Sequence, residues 1–539
     1  MPRARLWPAV LVLLLGALFI LKTWLTGDAI RQERILQTIA TVALVLLALV
    51  VWLVFLSRLA RRVRYTALAV VLGLVALTAA LVRVRGVTGD LRPIVELRFA
   101  RPAPLPQLPP ASEPLALPTA APATPSPVAA STPVPAGAAA APATPAPSVA
   151  ARAASQGSYP QFLGPTRDAT LAGPRLARDW TARPPKPLWR QPIGEAWSGF
   201  AIADGVAVTQ EQRGDEERVV AYDLRSGRPL WSHGDAARYS TVIAGTGPRA
   251  TPLIEGGRVY ALGATGLLNA LDLASGRALW AHDVVRETGA TLPDWGKSAS
   301  PLLAEGRVVV PAGGPGHALV AFDAASGASA WFAGDGGSSY SSATLMTLAG
   351  RRQIVVLNAR SLSGHDPKSG ALLWEHPFPS GQPNVTMPVP LGPDRLLASV
   401  GYGVGSKAYR IAESGGALQA TLEWESPRLK SKFANLIVQG GFVYGLDDGV
   451  LTCIDPATGK RRWKSGRHGH GQLLLVGGLL LVQTEDGELV LVDPSPDAYR
   501  ELTRFTALDG KTWNPPALAG SQLLVRNDRE AAAFELPVE

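Results

Sequence analysis

The densest pair of chemistry-bearing side chains is His468 and His470, in the stretch RHGHG. Two apart, they share a face if extended, and imidazoles so placed could serve a metal. No third ligand is identifiable for them, so no metal site is expected. Cys453 is the single cysteine. It excludes an intramolecular disulfide and any cysteine-built zinc or iron–sulfur centre, and in a strand it reads as a small core residue. No nucleotide-binding glycine loop, catalytic triad or HExxH pair occurs. Eight other positions could form a polar, aromatic binding surface if a fold gathers them: Trp295, Lys297, Tyr340, Asn384, Lys432, Asn435, His470 and Trp513. Whether they meet depends on the elements that carry them.

Those elements are announced by a repeat: Asp, three residues, Gly, three residues, Trp. It occurs as Asp223/Gly227/Trp231, Asp272/Gly276/Trp280, Asp323/Gly327/Trp331, Asp366/Gly370/Trp374 and Asp455/Gly459/Trp463. The tryptophans fall roughly 40 to 50 residues apart, a period that, filled with short apolar runs, marks a β-propeller. In LNALDLASGRALW the run before Asp272 alternates like a half-buried strand. Ser275-Gly276 then makes a tight turn, and a second strand follows. Asp272 can accept hydrogen bonds from that turn. Trp280 offers an apolar face whose burial is worth about 4 to 6 kcal/mol gross, enough to lock one blade on the next. Gly-Gly and Asp-Gly pairs upstream of each motif make further hairpins, giving four strands per blade. Trp189 has no inner strands before it, and the C-terminal segment has inner strands without an outer one. Ring closure between them predicts an all-β, eight-bladed propeller without an open edge. In such a ring the eight positions above fall on loops leading into inner strands, at the channel mouth, where a small molecule or peptide could bind.

Composition divides the 539 residues into three parts. Residues 1–100 carry three apolar runs, at about 6–25, 35–56 and 65–82, each long enough to cross a bilayer as a helix. The first could be read as a cleavable signal, but no small-x-small site follows it. Residues 101–157 form a Pro/Ala-rich linker, expected to be disordered and extended. Residues 158–539 are the propeller. The net charge of +9 lies wholly in the first hundred residues, leaving 39 charges of each sign in the remainder. That balance gives no footprint for nucleic acid. Arg58, Arg61, Arg62 and Arg64 mark the loop between the second and third runs as cytoplasmic. The N-terminus is then cytoplasmic, the protein multi-pass in a bacterial inner membrane, and the propeller periplasmic or extracytoplasmic.

The Asp-Gly-Trp repeat resembles the tryptophan-docking motif of the PQQ-like, quinoprotein-type β-propeller superfamily. YPQFLGPTRDAT (159–170), WGKSASPLL (295–303), SYSSA (339–343), VLTCIDPATGKRRWK (450–464) and KTWNPPALAGSQLLVRN (511–527) look like segments of its bacterial repeat proteins. The resemblance spans about 158–539. It implies either of two functions. The first is a membrane-anchored module that binds or scaffolds envelope proteins or peptides. The alternative is a PQQ-dependent membrane-bound dehydrogenase using PQQ with Ca²⁺. The blades here are near minimal length, and no calcium-ligand trio or catalytic Asp maps onto a position. The first reading, a non-enzymatic one, is therefore the leading expectation.

Overall fold

Why the repeat closes into a ring is visible in its turns. At each motif the Asp carboxylate caps the hairpin: Asp272 Oδ1 accepts from Ser275 N at 2.9 Å and Ser275 Oγ at 2.6 Å. Asp223, Asp323 and Asp366 hold Ser226, Ser326 and Ser369 likewise. Asp455, whose motif has Thr458 in the serine's place, accepts from Ala457 N at 2.8 Å. Gly276 supplies the left-handed φ of +70°, where a side chain would be strained. It also lies under the indole of Trp231, which leaves no room for a Cβ.

The same contact joins neighbouring blades. Gly227, Gly327, Gly370 and Gly459 lie against Trp189, Trp280, Trp331 and Trp424. Each of these is the tryptophan of the preceding blade, not the one in the glycine's own motif. The reason is geometric. Glycine and tryptophan of one motif sit on a turn and its following strand, so the indole projects away from its own turn. Each turn is thus shaped to receive a neighbour's tryptophan.

The computed structural model describes residues 6–25, 30–100, 103–112 and 157–539. The linker expected over 101–157 lies mostly outside them. Eight sheets form the ring, each built on four antiparallel strands, in chain order in all but the last. The second is Leu253–Glu255, Arg258–Leu262, Leu267–Asp272 and Ala278–Asp283. Closure is as expected: Lys186–Pro192 supplies the outer strand of the C-terminal sheet, with Trp189 opposite Ala533. In seven blades the outer tryptophan faces a small residue across the ladder, such as Ala221, Ala270, Gly364 or Cys453. A register shift follows each of these pairs. Cys453 is the small partner of Trp463, and burial pushes its thiol up to about 11. In the seventh blade the sizes are exchanged, Leu491 facing Thr503. Trp180, from outside the repeat, donates its backbone N–H to Thr503 and packs edge-on to Phe505 at 5.4 Å.

The tryptophans reach sideways to the next blade. Trp189, Trp231, Trp280, Trp424 and Trp463 donate their indole N–H to Leu224 O, Leu273 O, Ala324 O, Pro456 O and Ser495 O. Trp374 donates instead to Gln353 within its own blade. The fifth blade carries no Asp-Gly-Trp turn and has a long hairpin, Gly405–Ser414 with Ala417–Ser426, in its place. Trp331 packs on Gly370, but its indole N–H has no acceptor among the described residues.

Three N-terminal helices are long and apolar enough to cross a membrane: α1 (Trp7–Leu25), α2 (Arg31–Val51, extended by a π-turn to Leu56) and α3 (Arg61–Leu81). α2 and α3 each begin four residues earlier than the apolar runs suggested, because arginines occupy their first turns. Gly16 lets α1 approach Val45 of α2, where a Cβ would overlap. Small residues set such close crossings in bilayers. Two stretches outside the repeat depart from expectation. Residues 82–97, grouped by composition with the membrane segment, form a β-hairpin of Val82–Val87 with Pro93–Leu97. Residues 103–112 run against the first blade, where Ala111-Ser112 pairs parallel to Ser232-His233 and Arg213 donates to Pro106 O at 2.7 Å. Proline-rich chain has no N–H donors to spare, but its carbonyls can satisfy a neighbour.

Candidate functional site at the channel mouth

The loops entering the inner strands converge around the channel, and two segments foreign to the repeat close it. From one side comes YPQFLGPTRDAT. Its Tyr159 bridges to Ile202 and its Thr170-Leu171 pairs with Leu475-Val476. Its buried Arg167 donates to Ala343 O, Pro301 O and Ser300 O, tying two blades together. From the other side comes the tip of the membrane-proximal hairpin, Thr88 to Arg92. Between them remains a cavity of about 370 Å³.

The hairpin tip is held as a bound peptide would be. Glu485 Oε1 accepts from Gly89 N at 2.6 Å and from Trp513 Nε1 at 2.8 Å. Glu485 Oε2 accepts from His470 N. Lys432 Nζ donates to Gly89 O at 2.9 Å and to Gln32 Oε1 of α2 at 2.8 Å. His470 Nε2 lies 3.1 Å from Asp90 Oδ1, and Arg31 lies 2.9 Å from the other oxygen. Lys511 Nζ donates to Val87 O at 3.1 Å while lying over Trp513 and Trp197, 4.0 and 4.4 Å from their centroids. Gly89 is a requirement of this fit, since a Cβ there would overlap the His470 ring. Burial raises the Asp90 carboxyl, but His470, Lys432 and Arg31 outweigh it and hold the group below its usual range. Burial alone lowers Lys297 to about 8, and burial is the main cause that lowers Lys511 to about 8.

Beside the tip the mouth is aromatic. Trp295 stacks on Tyr340 at 4.9 Å and nears Tyr402 and Phe433 at 6.2 and 6.4 Å. Phe433 continues to Trp513 at 5.0 Å. Of the eight sequence-derived positions, Trp295, Tyr340 and Trp513 line the cavity, and Lys432 and His470 grip the hairpin. The other three turn into the wall. Lys297 is buried, donating to Ala312 O and Ser338 Oγ. Asn384 donates to Asn358 O, and Asn435 accepts from Leu473 N. The docking residues of the repeat, Gly227, Gly327 and Gly459 among them, are occupied by indoles at the rim and do not line the cavity. The two histidines do not converge: His468 turns to the Tyr499 hydroxyl at 3.5 Å, and burial lowers it to about 4. Phe433, Tyr402, Glu485 and Lys511 were not singled out in sequence, because nothing local sets them apart from other loop residues. The hairpin had a signal, the alternation of VRVRGV around the Thr-Gly-Asp turn.

A family model described as "Outer membrane protein assembly factor BamB" matches residues 173–293, 215–465 and 447–536. The chain belongs to this PQQ-like β-propeller family. No curated protein sequence matches it. Among solved structures, BamB from Moraxella catarrhalis is 16% identical, with a TM-score of 0.47, covering 65% of this chain and 100% of its own. Quinohemoprotein alcohol dehydrogenase from Comamonas testosteroni is 14% identical, with a TM-score of 0.53, covering 72% and 82%. At these identities the likeness is one of fold. PQQ with Ca²⁺ would need a carboxylate-rich ligand set. Among the described residues no group of three or more His, Cys, Asp or Glu is arranged to hold a metal. Of the acids at the mouth, Glu485 is occupied by three N–H donors and Asp90 by His470 and Arg31. Among the described residues, those at the mouth do not gather such a ligand set.

Proposed function

We propose that this protein is an inner-membrane-anchored propeller, displayed outside the cytoplasm, whose channel mouth binds peptide segments of envelope proteins. One observation carries the reading: the mouth already holds a peptide turn, through a backbone N–H on Glu485 and a backbone carbonyl on Lys432. Contacts of this kind recognise any chain in the right conformation. The adjoining aromatic wall of Trp295, Tyr340, Tyr402 and Phe433 suits an apolar side chain. The name of the matched family model, an assembly factor, agrees with a binding role. The basic loop at Arg58 to Arg64 supports the orientation, because the propeller meets the other end of α2 and the hairpin that follows α3.

The test uses the full chain with Gly89→Val, which should expel the tip from the mouth, and a synthetic peptide of residues 82–97 in trans. Saturable binding is expected, weakened about ten-fold by Lys432→Met, the usual loss for a charge-assisted hydrogen bond. Absence of binding would overturn the reading. So would stoichiometric uptake of PQQ with Ca²⁺ accompanied by dye reduction, which would favour the dehydrogenase.

A further inference from the structure

A second pocket, of about 270 Å³, lies beside the channel mouth at the seam between the N-terminal helices and the sixth blade. Trp24 and Ile30 form its apolar side. Arg31, Arg34, Lys430, Lys464 and Arg467 bring five cations to it. Among the described residues three carboxylates oppose them. Asp447 lies 2.6 Å from both Lys430 Nζ and Lys464 Nζ. Asp448 lies 3.5 Å from Lys430, and Asp90 takes Arg31. The surplus is positive. Arg467, which donates to Asp448 O at 3.2 Å, is lowered first by burial and then by the charge of Arg31, against the opposing pull of Asp90 and Asp448.

The position of the pocket is as informative as its charge. Trp24 is in the last turn of α1 and Arg31 opens α2. Arg31 to Leu56 spans about 39 Å at ~1.5 Å per residue, more than the ~30 Å hydrocarbon core. Trp24, Arg31 and Arg34 therefore fall at headgroup depth, where tryptophan and basic residues concentrate. Trp24 is fixed there by its indole bond to Thr38 Oγ1 at 3.0 Å and lies 5.9 Å from the Arg31 guanidinium. A cationic cleft at that depth suits a phosphodiester, which arginine and lysine bind by charge-assisted hydrogen bonds. Asp448 adds a further preference: its Oδ1 is buried without a hydrogen-bond partner among the described residues, and so calls for a ligand that also carries hydroxyl donors.

We propose that this seam pocket binds the phosphate of an anionic, hydroxyl-bearing phospholipid headgroup, such as phosphatidylglycerol, from the leaflet facing the propeller. The lipid would hold the sixth blade on the membrane surface and so fix the ring's tilt, beside the hairpin that docks at the mouth.

The test is native mass spectrometry of the full chain in detergent, titrated with phosphatidylglycerol or phosphatidylcholine. Wild type should retain phosphatidylglycerol selectively. Arg467→Gln should weaken retention about five-fold, and Lys464→Gln with Arg467→Gln about twenty-five-fold, while Arg352→Gln on the outer rim changes nothing. Should the double variant fail to fold, the single one carries the test. Equal retention of the two lipids, or retention indifferent to these substitutions, would overturn the proposal. Displacement of the lipid by inorganic phosphate would overturn it too, marking the pocket as one for soluble anions.

Discussion

The rim of the ring and the mouth of its channel are built on opposite principles. At the rim a neutral, apolar device repeats: an indole lies on a glycine turn and spends its N–H on a carbonyl of the next blade. At the mouth nothing repeats, and the contacts are charged and buried, with Lys297, Lys432, Glu485 and His470 all nearly inaccessible. The rim draws on the area removed from water. The mouth depends on charges satisfied by partners remote in the chain. The seventh blade shows the two meeting: where the repeat loses its tryptophan, Trp180 from outside the repeat packs in.

The contrast can be broken by measurement. Trp280→Ala should cost about 3 to 5 kcal/mol by urea unfolding, the range for emptying a buried aromatic site. Any pH dependence of that loss should come from His282, whose ring packs edge-on to Trp280 at 5.6 Å, since neither indole nor glycine titrates. A loss under about 1 kcal/mol would deny the rim its reliance on buried area.

Next comes the buried lysine. Lys297 is lowered from 10.5 to about 8 by burial. Between those values the unfolded chain binds the proton that the folded chain has released, so stability should rise with pH across that window. The gain is on the order of 3 kcal/mol at 1.36 kcal/mol per unit. Lys297→Met should remove this part of the slope, and identical slopes in the two proteins would refute it.

The smallest effect concerns the hairpin. Asp90 is held below its ordinary 3.8 by His470, Lys432 and Arg31. Its contribution is therefore present above that pH and is lost as pH falls through the lowered value. Protection of the amides of residues 82–97 from hydrogen exchange, taken relative to the intrinsic rate at each pH, should be high at pH 5 and fall below about 3.8, at the cost of about 1 kcal/mol of docking. Asp90→Asn should exchange faster already at pH 5. Indifference of exchange to both changes would separate the hairpin from the mouth.

The difference between these regions also explains what could be read before the structure was known. Asp272, Gly276 and Trp280 specify their own hairpin within nine residues, so strands, turns and blade number were legible from spacing alone. Which tryptophan each glycine receives was not, because Gly327 meets Trp280 and Gly459 meets Trp424 only across a blade boundary. Of the eight mouth positions, loop logic found Trp295, Tyr340 and Trp513 on the cavity. It could not see that Lys297, Asn384 and Asn435 turn inward to meet backbone groups. Phe433 and Glu485 went unnoticed because an aromatic or an acid in a loop carries no periodic signal. The hairpin over 82–97 was hidden by its neighbourhood, an alternating segment joined directly to an apolar helix.

By itself the sequence determined the ring, its closure by Trp189 and the three membrane-length helices, because each follows from contacts near in the chain or repeated at a fixed period. Only the tertiary structure decided that the ring's mouth is occupied by the hairpin that follows its own apolar helices. His470 and Asp90 are 380 residues apart, and Glu485 and Gly89 are 396 apart. Contacts of that range leave no pattern in the chain, and they form only once the closed ring has brought its loops to one place.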